Sequence, residues 1–209
     1  MRQTMQKFMF VVLAGALAVS GCGRTDLGRS PSQIVIDSFQ AASGAKPGDF
    51  SNTLDSDVLT MVKKTVGGQQ IEVPTIFNDL GRVKFHIQLR DAGTTASPTT
   101  PTGTNSVTFT RYRVSYQRAD GRNQQGVDVP YGFDSALTLT VPAGGDATAS
   151  FELVRHTAKE EAPLQALINN STIISTIATV TFYGQDLAGN DVVATGTIGV
   201  FFGNFGDPQ

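Results

Sequence analysis

The chain has 209 residues with one Cys, two His, no Trp, 22 Gly and a formal charge of −2, enough for one sizeable core or two small ones. A single Cys excludes an internal disulfide framework, and with only two His beside it a structural zinc cage lacks ligands. The near-neutral balance gives no electrostatic reason to expect a nucleic-acid partner.

The chain opens with Arg2 and Lys7 and then a continuous apolar run of 12 residues over 8–19. A membrane-spanning helix needs about 20 such residues, whereas the core of a signal peptide has this length. Val19-Ser20-Gly21-Cys22 follows. This motif resembles the lipobox of bacterial lipoprotein precursors. The resemblance implies cleavage after Val19, Ser20 and Gly21, with residues 1–21 as the signal peptide. It also implies a diacylglycerol on the Cys22 thiol and an acyl group on its amine. Two or three acyl chains, at about 0.8 kcal/mol per buried methylene, anchor a protein where one would not. Gly23 rather than Asp follows Cys22, which points to the outer membrane. No cofactor beyond this covalent lipid is expected, and the membrane is the first expected partner. Without Arg2 and Lys7 the mature chain would carry 14 basic and 18 acidic residues, a net charge of −4.

Residues 22–31 are polar, with Gly and Pro, and read as a flexible tether. Residues 32–204 read as one enlarged domain, and 205–209 as a C-terminal tail. Strand formers dominate, with Thr occurring 24 times. Ile34-Val35-Ile36 opens a strand, although 32–42 also fits a short helix. Two short strands are expected over 57–62 and 70–73, separated by Gly67-Gly68. The clearest strand covers 82–91: Val83, Phe85, Ile87 and Leu89 alternate with polar residues, the mark of a sheet with one wet face. Residues 92–106 contain six Thr, two Pro and two Gly, and read as a long exposed loop within the domain.

The next strand, 107–118, changes phase. Val107 and Phe109 are apolar on odd positions, and Tyr112, Val114 and Tyr116 on even ones, so a β-bulge is expected near Thr110 and Arg111. Residues 119–122 form a turn. Leu137, Leu139 and Val141 alternate, 144–146 turn the chain, and Ala149, Phe151 and Leu153 alternate again. The one helix expected covers 157–168, limited to a turn or two by Pro163. A final hairpin runs through 177–183, a turn over 184–191, and 192–202. Its turn, Asp186-Leu187-Ala188-Gly189-Asn190, resembles the last hairpin of bacterial immunoglobulin-like domains. With seven to nine strands in all, the expected fold is all-β, an immunoglobulin-like antiparallel sandwich. The Cys pair and Trp of antibody domains are absent.

Few residues suggest chemistry. His86 lies on a wet strand face among cations, and His156 precedes Glu160 and Glu161 by one helical turn; neither assembles a triad. The four Glu do not form a glycosidase pair, and no phosphate-binding glycine pattern is present. Asp186, Asn190 and Asp191 share a turn and could offer calcium its oxygens, although such residues also cap turns through their own backbone. Asp120, Asn123 and Asp128 raise the same choice in another loop. Arg82, Lys84 and Arg90 share one wet face and Arg111 and Arg113 another. Pairing of those strands would give a patch for an anionic glycan or lipid headgroup, whereas immunoglobulin-like order would separate them. The expected function is a lipid-anchored, non-catalytic binding or structural module engaging an envelope protein or glycan. Alternatives are a carbohydrate-binding module using Tyr112, Tyr131 and Phe133, or a hydrolase with an unrecognised site.

Overall fold

A computed structural model describes residues 30–205. The signal-peptide run, the Cys22 motif and most of the tether lie outside the described residues, as does the tail from 206.

Among the described residues twelve strands make the architecture: β1 (Ser32–Ala42), β2 (Thr53–Asp57), β3 (Thr60–Val66), β4 (Gln69–Thr75), β5 (Asp79–Leu89), β6 (Gly93–Thr94), β7 (Ser97–Pro98), β8 (Val107–Gln117), β9 (Phe133–Val141), β10 (Asp146–Val154), β11 (Ile174–Asp186) and β12 (Asp191–Gly203). One sheet has the order β1-β5-β10, and a five-stranded sheet has the order β2-β12-β11-β8-β9. All pairings within these sheets are antiparallel except that β2 adds to β12 in parallel. Both sheets contribute to one core cluster. In β5 the odd residues from Asp79 to Ile87 are buried and the residues between them half-buried, so the alternation in the sequence is the alternation of the fold.

Aromatic rings join the two sheets. Phe182 of β11 meets Phe85 of β5 and Phe151 of β10 at centroid distances of 5.1 and 5.3 Å. Tyr112 and Tyr116 of β8 reach across and donate hydrogen bonds to the carbonyls of Glu152 and Leu153 in β10, at 3.0 and 2.6 Å. Gly81 lies opposite Phe151 in the ladder, and a Cβ there would collide with that ring. Against β11 the register of β8 slips between Phe109 and Arg111, which pair with the successive residues Gly184 and Tyr183. Thr110 is the extra residue, and the slip turns Val107, Phe109, Tyr112, Val114 and Tyr116 all to the buried side.

The strand expected from Ile34 is present and covers 32–42, paired along its length with β5, so the helical alternative there falls away. Two other expectations change. The strand expected over 57–62 is broken: β2 ends at Asp57 and β3 begins at Thr60. The Asp57 carboxylate accepts the Thr60 hydroxyl at 3.0 Å, which folds the chain around buried Val58. The helix expected over 157–168 shrinks to α1 (His156–Lys159) and a 3-10 stretch at Leu164–Asn169. Pro163 between them has no N–H to continue the helix and disfavours helical backbone before it.

The sheets also give the molecule two distinct ends. Ser32, Leu89, Asp186 and Asp191 lie at strand ends on one side, and Ala42, Asp79, Asp57 and Gly203 at the other. Thirteen-residue strands separate the ends by roughly 40 Å. The β3–β4 hairpin leaves from the second end, and its residues 63–72 are all exposed.

Candidate functional site

The five cations do not form one patch. Arg82, Lys84 and Arg90 belong to β5 and the residue after it, whereas Arg111 and Arg113 belong to β8 in the other sheet. Each is also engaged. Arg82 donates to Gln40 at 2.8 Å and lies 3.9 Å from the Phe50 ring centroid. Lys84 pairs with Asp146, and Arg90 donates to the Ser30 carbonyl at 3.0 Å. Arg111 and Arg113 both pair with Asp134, at 3.2 and 2.7 Å. Hydrogen bonding to Arg113, with Arg111 nearby, holds the Asp134 carboxyl below its usual range. Lys84, Arg111 and Arg113 are thereby neutralised by carboxylates on neighbouring strands.

Asp186 is a turn organiser. Its Oδ1 accepts the N–H groups of Ala188 and Asn190, both at 2.9 Å, and its Oδ2 accepts the Asn190 side-chain amide at 2.9 Å. Burial by itself would raise this carboxyl; donation from Asn190, with Ser30 and Ala188, outweighs it and lowers the pKa. Asp191 faces elsewhere and accepts from Gln185 at 3.0 Å. No group of three or more His, Cys, Asp or Glu is placed to hold a metal ion among the described residues. Asp186→Ala is expected to cost about 1–3 kcal/mol by stranding these donors, measured by urea unfolding. Because the folded pKa is depressed, the stability Asp186 supplies is present above the unfolded value near 3.8 and lost as pH falls below it. The difference between wild type and variant should therefore shrink in acid.

Neither His completes a triad. His86 Nδ1 meets Asp37 Oδ1 at 2.7 Å, and His156 Nδ1 meets Asn78 Oδ1 at 2.9 Å. No Ser or Thr hydroxyl is hydrogen-bonded to either ring among the described residues. The aromatic row is divided as well: Tyr112 and Phe133 are core residues, 2 % and 7 % exposed, and only Tyr131 is at the surface.

The most unusual chemistry lies where sequence patterns gave no signal. Lys159 and Asp79 are both fully buried. Asn78 Oδ1 accepts the His156 N–H at 2.6 Å and holds the start of α1. Lys159, three residues on and so on the same helical face, enters the core beside Asp79. Its Nζ lies 2.9 Å from Asp79 Oδ2 and 3.0 Å from Oδ1, and donates to the Asp57 carbonyl at 2.8 Å. Asp79 Oδ2 also accepts the Ser56 hydroxyl at 2.6 Å, and Oδ1 the Gly44 N–H at 2.9 Å. Burial pushes the Asp79 carboxyl up, opposed by Lys159, Ser56 and Gly44. Burial likewise raises Asp57, whose carboxylate faces Thr60 and the Phe205 N–H.

Comparison with known proteins brings no relative to these features: no family model, curated protein or solved structure matches the chain.

Proposed function

We propose that the protein is a lipid-anchored lipoprotein of the bacterial envelope, most consistent with the outer membrane, whose immunoglobulin-like domain is a non-catalytic binding or structural module. The observation that carries the reading is the Val19-Ser20-Gly21-Cys22 motif after a 12-residue apolar run, with Cys22 as the sole cysteine. No helix among the described residues is long and apolar enough to cross a membrane; attachment through a covalent lipid rests on the motif itself.

The strand order supports the immunoglobulin-like part. Consecutive long strands β5 and β8 lie in different sheets, and the Thr-rich segment after β5 makes the crossing, as a Greek-key sandwich requires. The tether's end supports the anchor part. Ser30 is 3 % exposed. Its carbonyl accepts from Arg90, and its hydroxyl helps lower the pKa of Asp186. The chain thus enters the domain at the β11–β12 turn. The nine residues from Cys22 to Ser30 reach about 30 Å at full extension. A lipid on Cys22 would place that turn near the membrane and the exposed β3–β4 hairpin at the far end, available to a protein or glycan partner.

Replacing Cys22 tests the reading directly. Cys22→Ser should abolish metabolic palmitate labelling and move the protein from the membrane to the soluble fraction. Persistent labelling of the variant would show that the anchor is elsewhere.

A further inference from the structure

The geometry points to an intramolecular amide bond between Lys159 Nζ and Asp79 Cγ, a covalent staple that the chain makes from its own buried ion pair. Three observations converge on it. The amine and the carboxyl are both fully buried, and Nζ lies within hydrogen-bond distance of both oxygens, at 2.9 and 3.0 Å, which brings it close to the carbon they share. Two further donors polarise that carboxyl, the Gly44 N–H on Oδ1 and the Ser56 hydroxyl on Oδ2. The Asp57 carbonyl fixes the amine from another direction. Well-oriented intramolecular reactions reach effective molarities on the order of 10⁵ M or more, and this pair is confined to one buried site.

The environment favours the reactive forms. Both ions carry a desolvation penalty inside the protein, so transfer of a proton from the Lys159 ammonium to Asp79 Oδ2 relieves two buried charges at once. Burial raises the Asp79 carboxyl in the same sense. The neutral amine then attacks Cγ and the Nζ–Cγ bond forms. Negative charge gathers on Oδ1, where the Gly44 N–H donates, as a backbone donor does in an oxyanion hole. A second Nζ proton passes through the Ser56 hydroxyl to Oδ2, the Cγ–Oδ2 bond breaks, and one water leaves. Amine plus acid gives amide plus water; no oxidant, reductant or cofactor enters. With both groups sealed in the core, water has no ready access to reverse the step.

The bond would tie α1 to the start of β5 across a separation of 80 residues. It would sit at the end of the sheets from which the β3–β4 hairpin leaves, opposite the end where the tether enters. Its existence does not depend on the lipid anchor.

Peptide mass spectrometry of the full chain, digested with trypsin after denaturation, decides the matter. The expected result is a branched peptide joining the segments that contain Asp79 and Lys159, lighter than their sum by one water and uncut after Lys159. Recovery of the Asp79 peptide unlinked, with normal cleavage after Lys159, would overturn the proposal on wild-type protein alone, whatever the folding of any variant. Lys159→Arg keeps a cation but cannot form the bond, and should yield only separate peptides. Ser56→Ala should leave a measurable unlinked fraction in freshly made protein; complete linkage there would remove Ser56 from the proton path.

Discussion

Asp79→Ala is expected to lower the unfolding free energy by about 3–5 kcal/mol, the cost of stranding a buried charge by removing its partner. Domains of this kind have about 5–15 kcal/mol in total, so the variant should lose about a fifth or more and unfold at much lower denaturant. The loss is large because it is threefold. Lys159, fully buried, is left with only the Asp57 carbonyl to meet its Nζ. The Ser56 hydroxyl and the Gly44 N–H lose their acceptor at the same time, and unpaired buried donors are costly. A double variant, Asp79→Leu with Lys159→Met, separates the electrostatic from the covalent contribution. Apolar replacement of an entire buried ion pair is often neutral or stabilising, so an unlinked protein should return close to wild-type stability. A protein stapled by the amide would instead remain short by roughly 4–5 kcal/mol, taking the chain-entropy relation for a cross-link across this loop. Denaturant midpoints of the three proteins, with the slope checked for constancy, give both answers.

This pair also shows what a sequence conceals. Lys159 stands before Glu160 and Glu161, and such a charged run reads as a solvated face; Asp79 opens a strand, where polar residues are ordinary. Their meeting depends on Asn78 holding the start of α1, a contact between positions far apart in the chain that no local pattern encodes. The strand phases are another matter, because alternation is a local consequence of backbone geometry. The regular alternation in β5, the phase change at Thr110 in β8 and the final hairpin are all legible in the sequence. The failures were tertiary or finely local. The turn around Val58 needed the Asp57–Thr60 hydrogen bond, and the division of Arg82, Lys84 and Arg90 from Arg111 and Arg113 needed the sheet assignment. Tyr112 and Phe133 looked available to a sugar only until the core claimed them. The turn residues Asp186 and Asn190 were legible as a cluster, but their hydrogen-bond directions, which aim the Asp186 oxygens at the turn's own donors, were not.

The aromatic centre should be as sensitive as the ion pair, for a different reason. Phe182→Ala is expected to cost about 3–5 kcal/mol, the range for deleting a buried ring from a packed core. Phe182 is fully buried and touches both sheets: Phe85 and Phe151 at 5.1 and 5.3 Å from one, Phe109 and Tyr112 at 6.0 and 6.2 Å from its own. Its near-perpendicular contacts with Phe85 and Phe151, at 85° each, are edge-on arrangements worth about 0.5–1.5 kcal/mol apiece beyond area burial. Because partners lie on both sides of the inter-sheet layer, neither sheet can close the cavity without displacing the other. The adjacent residue provides the control. Tyr183 points to the opposite face of β11, where its ring carries the Arg111 guanidinium at 3.8 Å, a contact worth about 0.5–1 kcal/mol at an exposed site. Tyr183→Ala should therefore cost about 1 kcal/mol or less. Equal losses from the two neighbours would contradict the facing of β11, since a one-residue change of phase exchanges the core for the solvent.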